Sequence, residues 1–118
     1  MNHSRGSVSI EAAILIPLFI GSVFLILQSS LWIHASSVAQ VAAEDGVRAG
    51  TAMGAGDRVE IVTAEEILST RVVGQAWTVT ATTTSESMTV TVTGQATSVI
   101  PGWVWEVRES ATLPWEVP

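Results

Sequence analysis

The first third of the chain is dominated by one long run of apolar residues. Between Ala12 and Leu27 there are sixteen residues and no charge, and the wider stretch from Ser7 to Ile33 is interrupted only by Glu11, Gln28 and a few serines. At about 1.5 Å per helical residue, this stretch is long enough to cross a hydrocarbon core of roughly 30 Å. The pattern therefore predicts a transmembrane helix over residues 7–33, preceded by a short basic segment, residues 1–6.

Past the apolar run the sequence becomes rich in alanine and keeps helical spacing. Alanine is the best helix former, and no helix breaker occurs between His34 and Gly46. We therefore expect the membrane helix to continue outside the lipid over residues 34–46. The glycines from Gly46 to Gly56 then predict a flexible loop over residues 47–56. The alternative is a small-residue packing motif, because Gly46, Gly50 and Gly54 are spaced four apart.

The rest of the chain, residues 57–118, predicts an α+β head. Two capping-box patterns occur, Asp57–Glu60 and Thr63–Glu66, and a second helix is expected to start at one of them and to end near Ser69. Its inner face would carry Val59, Ile61 or Val62, Ile67 and Leu68.

After Arg71 the period of the pattern changes from 3.6 to 2. Apolar residues alternate with threonines around residues 77–82 and again around 88–93, which predicts two half-buried strands. The inward-facing residues have odd numbers on the first strand and even numbers on the second. The residue numbers of two paired residues must therefore add up to an odd value. A sum of 169 pairs Ala81 with Met88 and Trp77 with Val92, and leaves Thr84–Ser85 at the tip.

A third strand is predicted over Trp103–Thr112, after a turn at Pro101–Gly102. A meander of order 1-2-3 is the simplest connection. Pro114 and Pro118 suggest a frayed tail. The five Trp are either an adhesive, carbohydrate-stacking surface or core residues, with Trp115 expected to be exposed.

Composition and charge narrow the possible functions. There is no Cys, which excludes disulfides and thiolate metal sites. The net charge of −6 falls on the segment past residue 34, and an acidic head argues against nucleic-acid binding. His3 and His34 are the only histidines and lie outside any catalytic cluster, so no enzyme, cofactor or metal is predicted. Glu60, Glu65 and Glu66 suggest a cation site or, more simply, a solvated helix face.

Two residues do not fit a plain membrane anchor. An ionised Glu11 at the edge of the apolar run costs free energy unless it finds a partner. Pro17 removes a helical hydrogen bond and predicts a kink. Basic residues flank only the N-terminal end, which predicts a cytoplasmic N-terminus and an extracytoplasmic head.

The run from Arg5 to Pro17, Arg-Gly-Ser-Val-Ser-Ile-Glu-Ala-Ala-Ile-Leu-Ile-Pro, resembles the processing site of type IV prepilins. With a small residue after Gly6, it is most similar to TadE-like pseudopilins of the tight-adherence (Flp pilus) system. The resemblance implies cleavage between Gly6 and Ser7 by a prepilin peptidase, with Glu11 as the fifth residue after the cut. Ser7 stands where classical pilins carry an N-methylated Phe, which leaves methylation open.

The resemblance also implies a function in a tight-adherence pilus, as a minor pilin or pseudopilin serving adhesion, colonisation or DNA uptake. The partners implied are the peptidase, other pilins or pseudopilins, the Tad secretion machinery and membrane lipid. Glu11 would pair with the amine of Ser7, from a neighbouring subunit or its own, and favour one register. Without such pairing, Glu11 would simply sit in water at the headgroup level.

Two alternatives remain open. One is an uncleaved single-pass anchor that carries an extracytoplasmic binding domain. The other is a secreted domain cut by an ordinary signal peptidase near Ala35–Ser37 or Val41–Ala43, although the apolar run exceeds the usual signal length. The three hypotheses differ in the retained N-terminus: Ser7, Met1, or a residue between Ser36 and Glu44.

Overall fold

The structure is a computed structural model that describes residues 2–52, 54–56, 58–72 and 76–116, with side chains from Ser7 onward. It contains two helices, α1 (Asn2–Thr51) and α2 (Val59–Arg71), followed by three strands, β1 (Thr78–Thr83), β2 (Ser87–Gln95) and β3 (Glu106–Pro114). The predicted fold class is confirmed: a long apolar N-terminal helix, a short second helix and a three-stranded antiparallel sheet.

Helix α1 is the axis of the molecule. Its 50 residues correspond to about 75 Å of helix, and the longest dimension of the chain is 84 Å. The helix includes the predicted leader and continues through Pro17 without interruption. It ends at Thr51, where the side-chain hydroxyl donates to the carbonyl oxygen of Val47, 2.8 Å away.

The sequence predicts a loop that starts at residue 47, but α1 continues to Thr51. Both Gly46 and Gly50 therefore lie inside the helix. A Cβ on Gly46 would lie 2.7 Å from the carbonyl oxygen of Glu60, and one on Gly50 would lie 2.7 Å from the sulfur of Met88. The packing interpretation is therefore correct for these two glycines, which let α2 and the sheet approach the helix axis. Gly54, with φ of 77°, does lie in the connection that follows.

Helix α2 starts between the two predicted caps and ends two residues beyond Ser69. Arg58 precedes it in a left-handed conformation, with φ of 61° and no side-chain cap. Thr63 lies inside the helix, so the later start is wrong, and Asp57 lies outside the described residues. The buried face carries Ala64 and Leu68, whereas Val62 is exposed.

The sheet has the predicted order β1-β2-β3, with both pairs antiparallel. The predicted parity is correct, but the register of β1 on β2 is shifted by two residues. Val79 pairs with Val92 and Ala81 with Val90, a sum of 171 instead of 169. A shift of two keeps every side chain on its predicted face.

The physical reason for the shift is the bulk of Trp77. Its indole ring lies over Gly94, and a Cβ at that position would lie 2.8 Å from Cδ2 of the ring. The predicted register would have placed the same ring opposite Val92, a branched residue. The turn moves accordingly to Ser85–Glu86, and it is closed by the hydroxyl of Thr84, which accepts from the backbone N–H of Ser87 at 3.0 Å.

The third strand starts and ends later than predicted. Trp103 and Trp105 precede β3, which begins at Glu106, so they do not share a strand face with the buried Val107. Pro114 is the last residue of β3 and not part of a frayed tail. Trp115 is half-buried instead of exposed, and its indole N–H donates to the carbonyl oxygen of Thr84 at 2.9 Å.

The head, residues 58–116, packs as two layers on the C-terminal half of α1. The helices form one layer and the sheet forms the other, with the central strand β2 supplying Met88, Val90 and Val92 to the core. The helix α1 contributes mainly small side chains: Ala35, Val38, Ala39, Ala42, Ala43 and Val47. The core therefore depends on close approach to α1 and not on large residues from it.

Replacing Gly46 with alanine should destabilise the head by about 1–3 kcal/mol, because the added Cβ displaces the backbone of α2 at Glu60. This is opposite in sign to the gain of roughly 1 kcal/mol that Gly→Ala brings in an exposed helix interior. The measurement is thermal or denaturant unfolding of the full chain in detergent micelles, followed by near-ultraviolet circular dichroism of the Trp residues.

Gly21→Ala is the matched control, since a Cβ on Gly21 has no atom within 4 Å. Its unfolding midpoint should equal or exceed that of the unmodified chain. A Gly46→Ala chain that unfolds at the same or a higher midpoint would show that α2 is not held against α1 at this glycine.

Candidate functional site

The N-terminal part of α1 is exposed along its length. We call residues Ser7–Leu27 the shaft: every one of its side chains is exposed except Ala12, which is half-buried. Large apolar side chains point in all directions around it, with exposures from 41% at Val23 to 70% at Phe19. In water such a surface is strongly unfavourable, so the shaft is suited to lipid or to other apolar helices.

Within the described residues, α1 is the one helix that is long and apolar enough to cross a membrane. Its apolar window has none of its residues buried inside the protein, which distinguishes it from the core helix of a soluble domain. The helix fits a single-pass membrane anchor.

The predicted processing site lies near the start of this helix. Gly6 and Ser7 are both within α1, and Ser7 is exposed. Glu11 follows one turn later, also exposed, and it is the only charged residue between Ser7 and Ile33. Among the residues whose side chains the structure describes, Glu11 has neither a hydrogen-bond nor an ion-pair partner. Within the side chains that the structure describes, this carboxylate therefore has no counter-charge.

Pro17 lies in the middle of the shaft, six residues after Glu11. A proline in a helix removes one backbone hydrogen bond and crowds the carbonyl four residues earlier. The two predicted features, carboxylate and proline, thus lie on the shaft and not in the folded head.

The head meets the apolar part of α1 at Gln28, a residue that sequence reasoning treated only as an interruption. Its side chain is fully buried and forms two hydrogen bonds with the backbone of the segment between β2 and β3. The amide nitrogen donates to the carbonyl oxygen of Thr97 at 3.1 Å, and the amide oxygen accepts from the N–H of Val99 at 2.8 Å. A buried amide that satisfies two backbone groups holds this segment at a defined height on the helix.

A second contact lies one turn further along α1, at Trp32. Its indole N–H donates to the carbonyl oxygen of Glu106 at 3.1 Å. Its ring packs edge-to-face on Trp105, with the centroids 6.2 Å apart, and Trp105 is 5.3 Å from Trp103. Three of the five Trp thus form one cluster where the head meets the apolar helix. Trp105 is half-buried and Trp103 is 49% exposed, so the predicted core role holds only in part.

The signal that could have found this junction is a glutamine inside an otherwise apolar span. A polar side chain in such a position needs a partner. The candidate partner is a second uncharged segment, rich in Trp and Val, that follows β2. Sequence alone does not show that the two meet, because 69 residues separate Gln28 from Thr97.

The surface of the head carries most of the acidic residues. Glu65 and Glu66 are exposed on α2, and Glu60 is partly exposed. Across the part of the chain that the structure describes, no three acidic, histidine or cysteine side chains lie close enough to hold a metal ion. The one ion pair found there joins Arg48 to Asp45 at 3.3 Å on the exposed face of α1, where such a pair contributes little to stability.

Comparison with protein families gives one match, to the model described as TadE-like protein, over residues 6–48. The match begins at the predicted cut and follows α1 almost to its end, so it includes the shaft and the small-residue face but leaves the head unmatched. No curated protein and no solved structure matches the chain significantly.

This family is a structural, non-enzymatic one whose members take part in the Tad pilus machinery. The matched residues include Gly6, Glu11 and the apolar shaft. The match over residues 6–48 is thus consistent with a TadE-like protein of the tight-adherence system.

Proposed function

We propose that this protein is a minor pilin or pseudopilin that a prepilin peptidase cuts between Gly6 and Ser7 and that then takes part in assembling a tight-adherence pilus. The observation that carries the proposal is the shaft, an apolar helix exposed on all sides, with one carboxylate near its start that has no partner among the described side chains. Lateral packing of several such helices would bury the apolar surface and supply Glu11 with a counter-charge.

The proposed role of Glu11 follows from electrostatics. Cleavage creates an ammonium group at Ser7, four residues before Glu11, on the same part of the helix. In low dielectric a carboxylate and an ammonium attract strongly, but each is costly when unpaired. A pair between neighbouring subunits is therefore made in one axial register and lost in others, so Glu11 selects how the shafts align.

Pro17 has a different proposed role. A missing backbone hydrogen bond within the shaft lowers the resistance of the helix to bending. Shafts that move from a flat bilayer into a narrow fibre must adapt their curvature, and Pro17 is the position where α1 does so at least cost.

The proposed topology places residues 1–6 in the cytoplasm and the head outside the cytoplasmic membrane, in a surface pilus after assembly. Support comes from the charge distribution: Arg5 and His3 precede the shaft, and the acidic residues of the head follow it. An acidic head is repelled by anionic lipid headgroups on the cytoplasmic face.

Cleavage is tested by the intact mass of the membrane-bound protein in strains with and without the prepilin peptidase gene. The expected result is loss of Met1–Gly6 only where the peptidase is present, with Ser7 as the new N-terminus. A full-length mass in both strains would contradict the proposal and favour an uncleaved, membrane-anchored binding domain. A mass starting between Ser36 and Glu44 would instead indicate an ordinary signal peptidase.

The role of Glu11 is tested with Glu11→Gln, which removes the charge and keeps the shape. We expect normal cleavage but roughly a tenfold fall in pilus number, because one partner of an ion pair in low dielectric is lost. The measurements are the mass of the processed protein and a count of pili by electron microscopy. Glu65→Gln on the exposed face of α2 is the matched control and should leave both unchanged.

Normal pili in the Glu11→Gln strain would show that the carboxylate is simply solvated at the headgroup level. If processing fails as well, the result would place Glu11 in recognition by the peptidase and not in alignment of the shafts.

A further inference from the structure

The segment that joins β2 to β3 lies alongside the exposed apolar shaft. We call residues Ala96–Trp105 the β2–β3 loop; its sequence, Ala-Thr-Ser-Val-Ile-Pro-Gly-Trp-Val-Trp, contains no charged residue. Together with the helix it forms an open, apolar groove, lined by Gly21, Phe24 and Leu25 from α1 and by residues 99–101 and Trp103 from the loop. The tip of the loop is therefore level with part of the predicted transmembrane span.

Two hydrogen bonds define that level. Gln28 holds the backbone of Thr97 and Val99, so the tip beyond Val99 extends along α1 towards its N-terminus, as far as Gly21. Seven residues of helix between Gln28 and Gly21 correspond to about 10 Å. The loop thus runs beside the last third of the apolar run and not above it.

The polarity of the sequence changes at the same height on both segments. On α1 the strongly apolar run ends with Trp32 and Ile33, before His34 and Ser36, and the first charged residue after it is Glu44. After the β2–β3 loop the first charged residue is Glu106, whose carbonyl oxygen accepts from the indole of Trp32. Tryptophan prefers the membrane–water interface, and three Trp are clustered at this height. The boundary between strongly apolar and polar sequence therefore lies at the same height on the two segments.

Part of the loop backbone is paired within the protein, which favours an apolar solvent, where unpaired N–H and C=O groups are costly. The Ser98 hydroxyl lies 2.8 Å from the carbonyl oxygens of both Ile100 and Trp103 and can donate to either. The N–H of Trp103 donates to Ile100 at 3.2 Å, and that of Ala96 donates to Trp105 at 2.9 Å. Pro101, at the tip, has no N–H to satisfy.

We propose that the β2–β3 loop inserts into the lipid leaflet on the side of the head and contacts acyl chains, giving the protein a second membrane contact besides α1. Its outward side chains suit that solvent: Trp103 is 49% exposed and Val104 60% exposed. The proposal rests on α1 spanning a membrane, and it does not depend on cleavage or on pilus assembly.

The chain has no Cys, so single-cysteine variants of the full protein can be labelled with an environment-sensitive fluorophore. Pro101→Cys reports the loop tip, and Leu15→Cys reports the shaft. Ser85→Cys reports the turn at the opposite end of the sheet, near the end of α1, and is the matched control. Each labelled protein is reconstituted at low protein-to-lipid ratio in phosphatidylcholine vesicles, and quenching is measured with acyl-brominated lipid and with iodide.

The expected result is that labels at positions 15 and 101 emit at shorter wavelength, are quenched by brominated lipid and are shielded from iodide, whereas position 85 shows the reverse. Iodide quenching at 101 together with lipid quenching at 15 would overturn the loop proposal and leave the membrane anchor intact. Shielding of the label at 101 from both quenchers would overturn the proposal and show that protein, not lipid, covers the groove. If dilution in lipid relieves this shielding, the covering protein is a second copy of the chain. Iodide quenching of the label at 15 would overturn both the loop proposal and the membrane anchor.

Gln28→Leu tests whether the glutamine positions the loop. The substitution keeps the span apolar but removes both hydrogen bonds, so lipid quenching of the label at 101 should fall while that at 15 stays unchanged. Gln40→Leu is the control, because Gln40 bonds Glu44 on α1 and not the loop. Equal quenching at 101 in the two variants would overturn the positioning role of Gln28.

Discussion

One helix, α1, has to suit two surroundings: an apolar environment along the shaft and the folded head beyond it. The rest of the structure depends on how its side chains do so. Along the shaft, α1 presents large apolar side chains in every direction. Beyond Gln28 the same helix presents alanines and glycines on one face, where the sheet and α2 approach its axis. A head this small gains little core volume of its own, so close packing on the long helix replaces a larger hydrophobic core.

Much of this arrangement could be predicted because it follows from periodicity. The uncharged run at residues 12–27 predicts the shaft, and alternation of valine and threonine predicts strands with the correct inward faces. The strand register could not be predicted, since it depends on Trp77 finding the space above Gly94. Likewise, a glycine that lets two helices approach and a glycine that ends a helix are alike in sequence, and only the partner at Glu60 distinguishes them at Gly46.

The candidate site likewise has one part that the sequence predicts and one part that it does not. Gly6, Ser7 and Glu11 are predicted from a local pattern, and the family match begins at that pattern. Gln28 and the tryptophan cluster were not found, because they depend on a contact between segments 69 residues apart. Local motifs describe what the chain shares with TadE-like proteins, whereas the junction joins Gln28 and Trp32, within the matched residues, to a segment outside them.

The uninterrupted course of α1 from shaft to head has a mechanical consequence. Because no loop separates the two, the head rotates with the shaft, and a change of one residue in the alignment of neighbouring helices turns it by about 100° around the axis. If shafts pack side by side as proposed, the direction in which each head points reports how they pack. A misaligned subunit would then present a different face of its head.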